Sequence, residues 1–218
     1  MNDLYIGFDF SINKPAMTIY YQGIIDFFIW PLKQNKKDFE MYKDNHVYSV
    51  NRNLNSINSK MYTSSELTKI HTERSKFLAD LIVETIFRYM DDNHIPRDIG
   101  VHIASEGLSF GSIGDATLNL ATYKGVLLVK LIENFNIKNL YTFSPVSIKA
   151  LAGCATKEKR KDKNAMIYAF IKEDFINEHK FHKNVKTFIK KKNFAACVDD
   201  IVDSYWALKK MLVELEKI

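Results

Sequence analysis

The chain has 218 residues and a mass of 25.3 kDa, with 46% hydrophobic and 26% charged residues, which excludes disorder as its main state and suits one globular domain with a real core. Its two cysteines, Cys154 and Cys197, lie far apart, and glycine (8) and proline (4) are scarce. That excludes a disulfide framework, a cysteine-rich zinc module and a glycine-rich nucleotide-binding architecture, and a reducing cytoplasmic compartment is expected. The net charge is +5, yet residues 157–192 hold 12 Lys+Arg against 5 Asp+Glu while the remainder is slightly acidic, the footprint of a polyanion binder.

In chain order, residues 4–11, 16–21 and 24–30 read as three strands of a meander, with Asn13-Lys14-Pro15 and Gln22-Gly23 as turns. Residues 31–62 are polar, rich in lysine and asparagine and without a sustained period, so they read as an inserted excursion within a single domain spanning 1–218. Thr63-Ser64-Ser65-Glu66 has the form of a capping box, and Leu67, Ile70, Phe77, Leu78, Leu81, Ile82, Ile86 and Tyr89 follow at helical spacing. A fourth strand is expected at 101–105, a helix at about 113–134, a short fifth strand at 140–143, and helices at 145–152, 163–177 and 195–216. The order βββ-α-β-α-β-α is that of a ribonuclease H-like fold, a mixed five-stranded sheet with helices on both faces. The longest apolar runs, such as Val126-Leu127-Leu128-Val129, end within a few residues, so no membrane span is expected.

Three groups of acids break this apolar pattern. Asp9 ends the first strand in Tyr5-Ile6-Gly7-Phe8-Asp9, and Glu106 ends the fourth in Ile103-Ala104-Ser105-Glu106. A buried carboxylate needs a compensating cation or hydrogen bonds. Asp199, Asp200 and Asp203 then cluster on the last helix, whose other side carries the apolar stripe Val198, Ile201, Tyr205, Leu208, Leu212 and Leu215. Like charges three and four residues apart cost a helix roughly 0.2–0.5 kcal/mol per pair. Ala196 and Ala207 share the acidic side and would let the helix approach the sheet. Two strand carboxylates and a helical cluster are what a site for two divalent ions needs. Hard oxygen donors suit Mg²⁺ or Mn²⁺, and ions about 3.5–4 Å apart activate water and stabilise a leaving oxygen. Periodicity does not choose between Asp199 and Asp200, since each is about one turn from Asp203.

The stretch 179–198 has six lysines, no acid, and Phe181, Phe188 and Phe194 interleaved. Lysines neutralise phosphates while aromatics stack on bases or pack beneath. Lys157, Lys159, Arg160, Lys161, Lys183, Lys186, Lys190, Lys191 and Lys192 are therefore the expected nucleic-acid contacts. His179 and His182, three residues apart without a nearby acid, read as solvated or phosphate-facing. Phe110, four residues after Glu106, suits either a wedge against an unpaired base or a ring folded onto the core.

At these residues the chain resembles the RuvC-type Holliday-junction resolvases, particularly divergent viral or phage members, over most of its length outside 31–62. Gly7-Phe8-Asp9-Phe10-Ser11 is similar to the family's first-strand G-I-D-x-G/S motif, with Phe10 as a departure. Arg74, Pro96 and Ser105-Glu106 follow the path to its second acid, and Lys124-Gly125-Val126 resembles a helix with a G-V step. Ser144-Pro145-Val146-Ser147-Ile148-Lys149, Gly153 and Asp162-Lys163-Asn164 are similar to a P-x-x-V-K…G-x-G…K segment, here with one glycine and a longer, more basic connection. Asp200-Ile201-Val202-Asp203-Ser204 resembles the closing D-x-x-D-A. The resemblance implies a homodimeric, Mg²⁺-dependent endonuclease, Mn²⁺ substituting, that makes paired nicks in a four-way branched DNA junction in a bacterial or virus-infected cytoplasm. Asp9, Glu106, Asp200 and Asp203 would be its metal ligands, and Lys149 and Lys163 would contact the scissile phosphate. The residues alone reach only a metal-dependent phosphodiesterase acting on nucleic acid. Other readings are a ribonuclease H-like nuclease for flaps, forks, RNA–DNA hybrids or DNA packaging, a catalytically silent junction binder, and, least compatible with one unit and eight glycines, an actin-like ATPase.

Overall fold

Strict alternation builds the centre of the molecule. In the computed structural model, which describes residues 3–108, 114–156, 164–189 and 195–218, strand β1 (Leu4–Asp9) sends Leu4, Ile6 and Phe8 to one face and Tyr5, Gly7 and Asp9 to the other. β2 (Ala16–Tyr21) pairs antiparallel with β1, and β3 (Ile24–Ile29) antiparallel with β2. Gln22 and Gly23 between them have φ of 48° and 89°, the left-handed pair that a two-residue hairpin turn requires. Helix α1 (Lys36–Asp44) then crosses to a short strand β4 (Val47–Ser49), parallel to β3, and the long helix α2 (Ser64–Asp92) opens on the capping box of Thr63 and Glu66. β5 (Gly100–Glu106) runs parallel to β1; helix α3 (Asp115–Asn134) leads to β6 (Asn136–Phe143), parallel to β5. Helices α4 (Pro145–Leu151), α5 (Ala165–Phe170), α6 (Lys180–Ile189) and α7 (Ala195–Glu214) follow.

The sheet order β4-β3-β2-β1-β5-β6, antiparallel on one side of β1 and parallel on the other, with helices on both faces, is the expected ribonuclease H-like arrangement with six strands rather than five. The extra strand comes from the 31–62 segment, whose three-residue pairing is too short to leave a period in the sequence. β6 begins four residues earlier than expected because it is an edge strand. It alternates exposed and half-buried positions and is interrupted by an irregularity that leaves Lys138 between the paired Ile137 and Asn139. The helix expected over 163–177 ends at Phe170 within the described residues, and Glu173 beyond it ion-pairs with Lys209 and accepts a hydrogen bond from Tyr205 at 2.7 Å. None of the described helices is long and apolar enough to cross a membrane.

Two apolar layers flank the sheet. Leu4, Ile6, Phe8, Val101 and Ile103 meet α2 and α3 on one face, while Tyr5, Phe27 and Ala104 meet α5, α6 and α7 on the other. Helix α7 lies closely on β1. A Cβ at Gly7 would sit 2.3 Å from the Ser204 carbonyl oxygen and 2.5 Å from the Leu208 nitrogen, and the buried Thr18 and Ser204 hydroxyls are hydrogen-bonded at 2.7 Å. The close approach therefore comes from the glycine of the strand facing Ser204 and Leu208. Gly7→Ala is expected to destabilise the fold by about 3 kcal/mol, because backbone atoms rather than a flexible side chain must yield. A urea midpoint unchanged by this substitution would show that α7 is not seated on Gly7.

Candidate active site

Parity and register bring the first two acids together. Phe8 pairs with Ser105 as the last residues of the parallel β1–β5 ladder, so Asp9 and Glu106 are the next on each strand and leave the sheet on the α7 side. Because α7 rests on Gly7, its preceding turn brings Asp200 and Asp203 over the same strand ends. The four carboxylates line one open cleft of about 490 Å³ with Phe10, Ser11, Ile12, Gly107, Leu108 and Leu120.

The electrostatics are those of crowded acids. Burial, then the charges of Asp200 and Asp203, push the Asp9 carboxyl well above the usual carboxylate range. Asp203 is raised to about 7 by burial and the charges of Glu106, Asp200 and Asp199, against Lys149. Asp200 is raised to about 6 by burial, opposed by its hydrogen bond with Asp9 and by Lys14. Glu106 is raised by burial, against the charges of Lys149 and Lys124. Burial and crowding therefore hold the Asp9 and Asp200 pair toward the protonated form, a balance that a bound cation would shift. An all-oxygen, mutually repelling donor set of this kind fits Mg²⁺ or Mn²⁺. The four acids share the cleft, but among the described residues no three His, Cys, Asp or Glu are close enough together to form a preformed metal cage. Asp199 does not line the cleft and acts on Asp200 and Asp203 through its charge.

Lys149, in the last turn of α4, is half-buried and close enough to act on both Glu106 and Asp203. Two further lysines belong to the same field. Lys14 acts on Asp200 from the loop after β1. Lys124 of α3 is 8% exposed, donates its Nζ proton to the Glu106 carbonyl oxygen at 2.9 Å and lies 5.2 Å from the Phe10 ring centroid. Its sequence signal is its position: Leu120, Tyr123, Leu127 and Leu131 form the inward stripe of α3, and Lys124 interrupts it.

Other expected contacts divide. Phe110, Lys157, Lys159, Arg160, Lys161, Lys163, Lys190, Lys191 and Lys192, with Phe194, lie outside the described residues. Lys186 and Phe188 belong to α6, described there by backbone only. Lys183 is exposed on α6 and ion-paired with Glu178 at 2.7 Å. Of the two histidines, His182 is buried and His179 half-buried. His182 donates from Nε2 to the Phe170 carbonyl at 2.8 Å. His179 stands edge-on to Phe27 at 4.8 Å, its pKa lowered to about 4 by burial and the nearby His46 and His182. Phe181 beside them is fully buried and forms core beneath the basic helix. Alternation of lysine with apolar residues on an amphipathic helix hides this, because the same pattern serves a stacking surface and a docked helix.

No family model and no curated protein matches the sequence. Among solved structures the chain is similar to T. thermophilus RuvC in complex with Holliday junction substrate, with 11% identity, 99% of this chain and 97% of that chain covered, and a TM-score of 0.46. It is also similar to the Fowlpox virus resolvase in its complex with Holliday junction DNA, with 15% identity, coverage of 97% and 98%, and a TM-score of 0.41. The yeast mitochondrial Holliday junction resolvase Ydc2 is a third, with 12% identity, coverage of 95% and 76%, and a TM-score of 0.44. These are likenesses of chain path at low identity.

Proposed function

We propose that this chain is a divalent-metal-dependent endodeoxyribonuclease that resolves four-way DNA junctions by paired nicks. The observation that carries the nuclease reading is that Asp9, Glu106, Asp200 and Asp203, all with raised carboxyl pKa values, line one cleft. The junction as substrate is supported by the order of sequence motifs that resemble the resolvases, and DNA as ligand by the local charge of 157–192.

In this reading the four carboxylates hold the ions, and Mg²⁺ or Mn²⁺ bound there supplies water activation and neutralisation of the leaving oxygen. Lys149 orients the scissile phosphate and offsets charge that develops on it, with Lys163 proposed beside it. Lys124 holds the end of β5 through the Glu106 carbonyl and so aims that carboxylate. The lysines and Arg160 of 157–192 neutralise backbone phosphates, and Phe110 is proposed to meet the crossover. Paired nicks need two centres, and in this reading a second copy of the chain supplies the other. Leu118, Val129 and Ile132 of α3 are exposed apolar residues suited to that contact. The nuclease reading is tested with end-labelled four-way junction, fork, flap and RNA–DNA hybrid in parallel, with Mg²⁺, Mn²⁺ or no metal. Symmetric metal-dependent nicks in the junction are expected. Preference for another substrate would reassign it within the nucleases, and binding without cleavage would make it a silent junction binder.

Lys149→Ala is expected to slow cleavage by about 10²-fold, with metal-free junction affinity changed less than about two-fold, because its ammonium serves the transition state more than the bound ground state. Rate and affinity falling together would instead make Lys149 an ordinary phosphate contact.

A further inference from the structure

We propose that Arg52 is a positioning residue for the acidic cleft: carried by the segment between β3 and α2, its guanidinium fixes the loop that leaves β1 and thereby the wall of the site. The inference rests on the nuclease reading and gives the 31–62 segment a task within it. Arg52 is 5% exposed, and its Nη2 donates to the carbonyl oxygens of Ile12 and Asn13, each at 2.7 Å. The backbone around it is fixed in turn. Val50 N donates to Ile29 O at 3.0 Å, Arg52 N to Pro31 O at 3.1 Å and Leu54 N to Leu32 O at 2.9 Å, so the returning limb lies along the chain that follows β3. Leu32 N reaches the same Asn13 carbonyl at 2.8 Å, and Arg74 of α2 donates to Asn55 O at 2.8 Å.

What this frame holds is functional wall. Ser11 and Ile12 line the cleft, and Lys14 acts on Asp200. The charged and titratable groups acting on Arg52 are Tyr123 and Arg74, and burial lowers its pKa to about 10, so it stays protonated at neutral pH. A desolvated cation held by main-chain carbonyls is a costly anchor for an ordinary surface turn. It suits a turn whose position must be kept, since a displacement near 1 Å at a reacting centre costs on the order of 10²-fold in rate.

The test uses the full chain with Arg52→Ala and Arg52→Lys, assayed on four-way junction with Mg²⁺ well below each variant's thermal midpoint, with amide hydrogen exchange followed over residues 10–14. Arg52→Ala is expected to lower kcat by about 10²-fold and Arg52→Lys, which keeps the charge and reaches one carbonyl, by about 10-fold, each with KM within about two-fold and with faster exchange in the same order. An unchanged kcat in Arg52→Ala, a loss confined to KM, or unchanged exchange over 10–14 would overturn the proposal. A wild-type chain that cuts none of the branched substrates would overturn the nuclease reading instead, and the exchange arm would still decide whether Arg52 holds the loop.

Discussion

Asp9→Asn and Glu106→Gln should each lower metal-dependent junction cleavage by about 10³-fold or more while metal-free junction binding stays within about two-fold. Each substitution keeps the shape of the side chain and removes the charge that a divalent ion needs, and the charge neutralisation such ions supply is worth several kcal/mol in a phosphodiester transition state. Binding is insulated because phosphate affinity comes from lysines and arginines, which neither change touches. Asp9 lies within reach of the charges of Asp200, Asp203 and Glu106, so its loss touches the whole cluster. Single-turnover cleavage of labelled junction, with a gel-shift titration in EDTA, separates the two effects. Residual cleavage within about ten-fold of wild type for either variant would remove that residue from the metal site.

The placement of these acids was legible because it follows from parity and chain direction alone. Asp9 has the parity of Gly7 and Tyr5, Glu106 that of Ala104, and two parallel neighbouring strands end together. Thr63 and Glu66 were equally legible, since a capping box is a local device whose partners lie three residues apart. What stayed hidden depends on tertiary partners. Val47–Ser49 forms a strand only because β3 offers an edge, and Arg52 is one cation in a polar stretch until Ile12 and Asn13 come within 2.7 Å, 39 to 40 residues away in sequence. Phe181 takes the second of its two expected places, packed beneath the lysines, whereas His182, expected in solvent or facing phosphate, is buried for a related reason. A helix with lysines on one side presents the same pattern whether its aromatic side meets bases or, as here, Phe27 and Phe170. Lys124 stood within the inward stripe of α3, where a lysine is anomalous, and that anomaly was the available signal.

The metal-free protein should lose stability as pH rises through the range in which its crowded acids ionise, and Asp203→Asn should abolish much of that loss. Asp203 and Asp200 carry folded pKa values of about 7 and about 6 against an ordinary 3.8. A group raised in this way binds its proton more tightly in the folded than in the unfolded chain. Its contribution is therefore fully present below about pH 4 and disappears as pH climbs through about 6 to 7, by an amount on the order of a few kcal/mol for the pair. His179 acts in the opposite sense: its folded value of about 4 lies below the usual 6.5, so it withdraws stability as pH falls through that interval. The wild-type curve mixes the two, but the difference between wild type and Asp203→Asn cancels His179 and isolates the acid. In EDTA, Asp203→Asn should have the higher Tm at pH 8, with the gap closing toward pH 4, and Asp200→Asn should behave alike to a smaller degree. Asp199→Asn, outside the cleft, should move the curve least and keep most cleavage, while the other two lose it. Mg²⁺ at pH 8 should raise the wild-type Tm and leave that of Asp203→Asn nearly unmoved, since a cation that relieves the repulsion needs the carboxylate. If Asp199→Asn rather than Asp200→Asn removed cleavage and the Mg²⁺ response, the helical register of the site would be one residue away from the one that places Asp200 in the cleft.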